Sequence, residues 1–128
     1  MSFCYINGSY KNNIDALISV EDRGFNFSDG VYEVMGFRKG KLLNLDRHFN
    51  RLSKSLIDLQ ISPPFSNPNS LKIIIYHLLK LNDMNNGFLY LQITRGTAKR
   101  NHLFPSNIKP NVVIFTFSKG GLNKIKKG

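Results

Sequence analysis

Among the basic side chains of the sequence, three stand out as candidates to bind an anion: Arg51, Arg100 and His102. The planar guanidinium of arginine matches a carboxylate or a phosphate through two parallel N–H donors. Arg100 and His102 are two residues apart in a polar segment, so in an extended backbone both side chains point the same way. This pair has the donors that a carboxylate requires. A solvated loop, with both side chains in water, is the alternative interpretation.

Arg51 belongs to a predicted helix and flanks its apolar stripe rather than opposing it. From a helix edge, an arginine can reach a buried anion. The alternative is a surface arginine whose aliphatic stem covers apolar residues while its charge stays in water. His48 is three residues earlier on the same helical face, where a lone histidine favours a hydrogen-bonded structural role.

Two polar–glycine steps, at 23–24 and 29–30, predict turns in which glycine takes a positive φ. Between them, the alternation of Phe25-Asn26-Phe27 predicts a short extended piece. The strand that follows places Tyr32 and Glu33 on opposite faces. A tyrosine hydroxyl and a carboxylate beside a turn suggest a site, and a tight turn with a capping aspartate is the alternative.

Periodicity and turn residues predict the elements that must position these groups. Asn7-Gly8 and Lys39-Gly40-Lys41 predict hairpins. Asp46 is the predicted N-cap of a helix that runs to about Leu59, and Asn67 with Pro68 begins a second helix. The predicted strands are 3–6, 9–11, 31–38, 42–45, 88–94 and 111–117. Strands, two helices and further strands predict an α+β, two-layer domain: a mainly antiparallel sheet with two helices on one face.

Length and composition indicate one globular domain, since the chain has 128 residues, of which 41% are hydrophobic. The single cysteine, Cys4, excludes an intrachain disulfide and is predicted to be buried. No zinc, P-loop or dinucleotide-binding motif is found, so no metal site is predicted. The apolar runs are too short to span a bilayer and the N-terminus does not read as a secretory signal, so we expect a cytoplasmic protein.

The net charge of +10 raises the question of nucleic acid as a partner. The basic residues are nevertheless scattered, and the one dense cluster is Lys124-Ile125-Lys126-Lys127. A basic nucleic-acid-binding module is therefore kept only as an alternative function.

Three segments resemble, in order and spacing, the class IV (fold-type IV) pyridoxal-phosphate aminotransferases. They are Asp22-Arg23-Gly24-Phe25-x-Phe27-x-Asp29-Gly30-Val31-Tyr32-Glu33-Val34, His48-x-x-Arg51-Leu52, and Gln92-x-Thr94-Arg95-Gly96-Thr97-Ala98-x-Arg100-x-His102-x-Phe104-Pro105. Within the family, the third segment and the Val-Tyr-Glu turn are most similar to D-amino acid aminotransferases. Aminodeoxychorismate lyases usually carry Phe-Glu where this chain has Tyr-Glu.

The resemblance implies transfer of an amino group from a D-amino acid to 2-oxoglutarate with pyridoxal 5'-phosphate as cofactor. It implies that Arg51 holds the cofactor phosphate, and that Tyr32, Arg100 and His102 form a trap for the substrate α-carboxylate. In the family, the arginine and histidine of this trap come from the opposite protomer, which implies a homodimer.

The resemblance also implies a domain organisation, because the family has two domains and this chain matches the N-terminal one. Residues 1–118 are expected to be that domain and 119–128 a truncated interdomain linker. The Schiff-base lysine then lies beyond the chain end, so no catalytic residue is assigned and the chain alone is expected to be inactive. Whether the chain alone binds the cofactor stays open. The alternative is half of a split aminotransferase or aminodeoxychorismate lyase-like enzyme, completed by a second polypeptide.

Overall fold

The computed structural model describes residues 2–118, which form one sheet covered by helices. The strands are β1 (Phe3–Ile6), β2 (Ser9–Asn12), β3 (Gly30–Arg38), β4 (Lys41–Leu42), β5 (Gly87–Thr94) and β6 (Asn111–Phe117). The helices are α1 (Arg23–Phe27), α2 (Leu45–Asp58) and α3 (Pro68–Leu81), with a 3-10 turn at Asn13–Asp15. The predicted basic cluster at 124–127 and the predicted linker at 119–128 lie outside the described residues.

The six strands form one antiparallel sheet in the order β2-β1-β6-β5-β3-β4. The two apolar strands β5 and β6 lie side by side at its centre, as their apolar character predicts. β4 pairs only with Phe37 and Arg38, so the first part of β3 is a sheet edge within the described region.

One face of the sheet is buried under α2 and α3. The inward residues alternate along each strand and pack against the inward faces of both helices. These residues are Val31, Met35, Phe37, Leu89, Leu91, Ile93, Val112, Ile114, Phe49, Leu52, Leu56, Leu71, Ile75, Leu78 and Leu79. Cys4 is also buried, as predicted. The predicted two-layer α+β architecture, with its mainly antiparallel sheet, is confirmed.

The N-terminus of α3 follows the prediction, and that of α2 does not. Asn67 accepts a hydrogen bond from the Ser70 amide at 3.1 Å, with Pro68 in the first turn. The predicted cap of α2, Asp46, instead lies inside its first turn, and Asn44 occupies the cap position in the left-handed conformation. The carboxylate of Asp46 still interacts favourably with the positive end of the helix.

The predicted extended piece at 25–27 is wrong, because these residues belong to the short helix α1. Asp22 accepts a hydrogen bond from the Phe25 amide at 3.1 Å and so caps this helix. The positive φ that ends it belongs to Ser28, at 55°, and not to a glycine. Glycine is required here for another reason, which is close approach of the backbone.

Replacing Gly24 with alanine is expected to lower the free energy of unfolding by about 1–3 kcal/mol. A Cβ at this position would overlap Thr94 Cγ2 and come within 2.9 Å of the capping Oδ1 of Asp22. Chemical denaturation would measure the loss. Gly36→Ala is the matched control, because its Cβ would meet Leu43 at an ordinary 3.5 Å. Equal stability of the two variants would contradict the prediction.

Candidate functional site

A buried carboxylate, Glu33, organises the part of the site built on β3 and α2. Its alternating position turns it inward, and its side chain is 4% exposed. Arg51 donates to both Glu33 oxygens, from Nε at 2.8 Å and from Nη2 at 2.7 Å. His48 Nδ1 lies 2.7 Å from Oε1, a distance at which it donates to the carboxylate. The predicted shared face of His48 and Arg51 is thus confirmed, and Glu33 joins them.

In this cluster the opposite charges of Glu33 and Arg51 each stabilise the ionised form of the other. Burial alone raises the pKa of Glu33, but hydrogen bonds and positive charge from Arg51 and His48 outweigh it, so the pKa lies below its usual range. The same carboxylate raises the pKa of Arg51. Glu33 is therefore ionised at neutral pH and fixes the direction of the Arg51 guanidinium.

A cleft of about 380 Å³ lies beside this cluster, along the free edge of β3, and is lined by Tyr32, Glu33, Val34, Arg51 and Ser55. Two of the predicted site residues, Tyr32 and Arg51, therefore line one cavity. The Arg51 side chain is 59% exposed, and within residues 2–118 its Nη1 makes no hydrogen bond. A guanidinium that is oriented by one carboxylate and still has open N–H groups is suited to bind an anion.

Tyr32 lines this cleft and lies on the face of the sheet opposite α2 and α3. It is 63% exposed and stacks on Tyr90, with ring centroids 5.7 Å apart. Tyr90 stacks in turn on Phe115 at 5.0 Å. Tyr32 and Glu33 thus point to opposite faces, as strand alternation predicts.

Arg100 and His102 are brought together elsewhere, against helix α1. The Arg100 guanidinium lies 5.2 Å from the centroid of the Phe27 ring, and the His102 ring meets Phe27 edge-on at 5.2 Å. The predicted proximity of these two side chains is supported by this shared neighbour. Within residues 2–118, no hydrogen bond or ring contact joins either of them to Tyr32. Within the described residues, Tyr32 therefore contacts a neighbour on the sheet, Tyr90, whereas Arg100 and His102 contact Phe27 of α1.

A second buried carboxylate, Asp29, holds the base of the loop that carries Arg100 and His102. Its Oδ2 accepts from Arg23 Nε at 2.8 Å and from Arg95 Nε at 2.7 Å, and all three residues are at most 8% exposed. Arg95 also donates to the carbonyls of Leu59 and Gln60. Burial by itself raises the pKa of Asp29. The hydrogen bonds and charges of Arg95 and Arg23 lower the pKa by more than burial raises it, so the pKa of Asp29 is below its usual range.

A third cluster ties α1 to the sheet. Asp22 is buried and its Oδ2 accepts from the Thr94 hydroxyl at 2.7 Å and from Asn111 Nδ2 at 2.6 Å. Asn111 also donates to the Thr97 hydroxyl at 2.9 Å. The start of the loop after β5, at Thr97, is thus hydrogen-bonded to the first residue of β6, the strand that follows the loop.

The roles of Glu33, Asp29, Arg23 and Arg95 are not among the predictions from the sequence. A signal for Glu33 does exist, since it is a charged residue at an inward position of an otherwise apolar strand face and must be paired. Asp29 and its two arginines have no such signal, because their meeting depends on where a distant loop returns.

The two buried carboxylates, Glu33 and Asp29, predict that the free energy of unfolding falls at acid pH. Their pKa values in the folded state are below the ordinary values of about 4. A lowered folded-state pKa contributes stability that is complete above the unfolded-state pKa and is lost as the pH falls through the folded-state pKa. Unfolding free energies measured from pH 7 to pH 2.5 should therefore fall steeply below about pH 4. A flat profile in that range would contradict these pairings.

Fold and site together define the class of protein. A sequence profile described as amino-transferase class IV matches residues 30–120, which include β3, both long helices and the loop with Arg100 and His102. The chain belongs to the class IV aminotransferase family.

Curated relatives named D-alanine aminotransferase match most of the chain. The protein from Staphylococcus haemolyticus is 39% identical over 120 residues, which is 93% of this chain and 42% of the relative. The protein from Bacillus licheniformis is 40% identical over 111 residues, 87% of this chain and 39% of the relative. The chain thus spans about two-fifths of the length of these relatives.

Solved structures match the fold over the same extent. Branched-chain amino acid aminotransferase from Escherichia coli gives a TM-score of 0.84 at 16% identity, covering 91% of this chain and 41% of that chain. 4-Amino-4-deoxychorismate lyase from Pseudomonas aeruginosa gives 0.72 at 24% identity, covering 91% and 40%. At such identities the likeness establishes the fold alone.

None of the helices within residues 2–118 has both the length and the apolar character that crossing a membrane requires.

Proposed function

We propose that this chain supplies the N-terminal part of a pyridoxal 5'-phosphate-dependent D-amino acid aminotransferase. The observation that carries the proposal is the cleft at the edge of β3, which Tyr32 and Arg51 line together. The relatives named D-alanine aminotransferase support the substrate class. In the proposed reaction, D-alanine and 2-oxoglutarate give pyruvate and D-glutamate.

The donor set of the cleft fits the phosphate group of the cofactor. Arg51 lines the cleft, its Nη1 makes no hydrogen bond within residues 2–118, and Glu33 fixes its orientation. We assign Arg51 to the phosphate and Glu33 to the positioning of Arg51. When bound, the cofactor supplies an electron sink for the charge that develops when the substrate loses its α-proton.

We assign Tyr32, Arg100 and His102 to the α-carboxylate of the substrate. A tyrosine hydroxyl, a guanidinium and an imidazole together offer directional donors and positive charge. Because Tyr32 makes no direct contact with the other two within residues 2–118, the trap is proposed to close between two protomers. This difference in neighbours supports a homodimer in which each loop reaches the cleft of the partner.

The aromatic face of the sheet supports assembly as well. It carries the stacked rings of Tyr32, Tyr90 and Phe115, and next to them Phe88 stacks on Phe117 at 5.4 Å. A contiguous apolar patch on a protein surface often marks a site of interaction with another protein. We propose that residues 1–118 act as one domain, followed by a linker from 119, within a cytoplasmic homodimer. A monodisperse monomer in light scattering at high concentration would contradict this assembly.

Binding of the cofactor tests the proposal. In the complete enzyme that contains this chain, Arg51→Gln is expected to weaken pyridoxal 5'-phosphate binding by about tenfold or more, because a charged donor to the phosphate is lost. Titration followed by absorbance would measure the dissociation constant. Arg47→Gln, an exposed arginine of the same helix, is the control and should bind as the unmodified protein does. An unchanged dissociation constant in Arg51→Gln would refute the assignment.

A further inference from the structure

The short helix α1 makes contacts with the very residues that are assigned to the substrate. Arg23 and Phe27 are four residues apart and therefore share one face of this helix. Arg23 Nη1 donates to the carbonyl oxygen of Asn101 at 2.6 Å. Asn101 is the residue between Arg100 and His102, so a buried arginine holds the backbone at the centre of the pair.

Phe27 contacts both side chains of the pair. Arg100 lies 5.2 Å from its ring centroid and His102 meets its edge at 5.2 Å, while Arg23 lies 4.7 Å from the same centroid. Cation–π and edge-to-face contacts of this kind are directional as well as attractive. One aromatic ring therefore fixes two side chains that are otherwise part of a polar loop.

Arg23 is itself fixed by the buried carboxylate of Asp29, which receives its Nε at 2.8 Å. Its Nη1 is then left to point at Asn101, so the two contacts together use the fixed fork of the guanidinium. A lysine at this position would keep the charge next to Asp29 but could not reach both acceptors with the same geometry.

We propose that α1 is the platform that positions Arg100 and His102, through the contact of Arg23 with the Asn101 carbonyl and the contacts of Phe27 with both side chains. Arg23 and Phe27 are positioning residues in this role. They set the directions of two donors before the substrate arrives, and so lower the entropic cost of binding its carboxylate. The functional consequence rests on the proposed assignment of Arg100 and His102, whereas the platform itself can be tested without it.

The first experiment observes the platform directly by NMR of the 128-residue chain. The chain has three histidines, and the His102 ring protons are expected to carry a ring-current shift from Phe27. In Arg23→Lys these signals should move towards those of a mobile histidine, and in Arg47→Lys they should not.

Phe27→Leu provides a second route if Arg23→Lys does not fold. Leucine retains apolar volume on α1 but has no ring, so both the shift of His102 and the contact with Arg100 should be lost. His102 signals that are unchanged in both variants would overturn the platform. Equal movement of the His102 signals in Arg47→Lys and Arg23→Lys would also overturn it, because the effect would then not be specific to the contacts of Arg23.

The second experiment measures kinetics in the complete enzyme. Arg23→Lys and Phe27→Leu are expected to raise KM for D-alanine by about tenfold and to change kcat by less than about threefold, since binding of the carboxylate is lost rather than chemistry. If His102 moves in the NMR spectra while KM is unchanged, the platform stands and the assignment of Arg100 and His102 to the carboxylate fails. If kcat falls as strongly as KM rises, the positioning role proposed for α1 is overturned.

Discussion

Asp29→Asn is expected to lower the free energy of unfolding by about 3–5 kcal/mol, the cost of leaving a buried charge without its partner. Asp29 is the only carboxylate that the buried side chains of Arg23 and Arg95 contact within residues 2–118. Asparagine has almost the same shape but no charge, and its amide group cannot accept two guanidinium bonds at one oxygen as well as a carboxylate does. Both arginines would then stay buried without a counter-charge, although their bonds to backbone carbonyls would remain.

Denaturant titration would measure this loss, with Asp58→Asn as the matched control. Asp58 is exposed at the end of α2, where such a change is expected to stay within about 0.5 kcal/mol. The two variants also report on acid sensitivity, since Asp29→Asn should remove part of the fall in stability below about pH 4. A loss in Asp29→Asn no larger than that of the control would show that the buried pairings contribute little.

Glu33→Gln is expected to weaken binding of pyridoxal 5'-phosphate by about tenfold and to lower stability by about 1–2 kcal/mol. The amide presents an N–H₂ group to one of the two Arg51 nitrogens that now donate to the carboxylate, so the guanidinium loses its fixed direction. The stability loss is kept small by the exposure of Arg51, since water screens that side of the pair.

This substitution separates orientation from charge. Removing a negative charge next to Arg51 strengthens its long-range attraction for an anion, and loss of the fixed direction opposes this gain. We expect orientation to dominate because a phosphate bond requires aligned donors. The control is Glu21→Gln, the other glutamate of the chain, which is exposed. Tighter cofactor binding in Glu33→Gln would contradict a positioning role for Glu33.

The architecture was predictable because its signals are local. Alternation placed Tyr32 and Glu33 on opposite faces of β3, and the apolar character of β5 and β6 predicted central strands. Asn67 with Pro68 marked the beginning of α3. The hairpin at Asn7 and Gly8 forms with positive φ at both residues, as its sequence predicts. The order of strands in the sheet is set by contacts between distant parts of the chain, so no short pattern encodes it.

The local errors have local causes. Phe25-Asn26-Phe27 alternates like a strand, but Asp22 caps the segment and Gly24 allows it to pack on Thr94, so one helical turn forms instead. At α2, the chain leaves the short strand β4 through a left-handed residue, and this places the helix start one residue before Asp46. A single polar residue therefore does not decide a helix boundary when the preceding turn fixes the backbone.

The candidate site was predictable only in part. The residues assigned by resemblance fall at a cleft and beside α1, but the carboxylates that orient the arginines are not part of that assignment. Glu33 carried a signal in its inward position, whereas Asp29 meets Arg95 only because β5 ends next to the beginning of β3. Networks of this kind depend on the assembled sheet and can be identified only from the structure.

The most direct test of the proposed function is an assay of the complete enzyme that contains this chain, with D-alanine or L-alanine and 2-oxoglutarate. We expect pyruvate to form from D-alanine and not from L-alanine, only when pyridoxal 5'-phosphate is present, and at a much lower rate in Arg51→Gln. Failure to form pyruvate with cofactor bound, or equal rates with Arg51 intact and replaced, would contradict a D-amino acid aminotransferase site at the edge of β3.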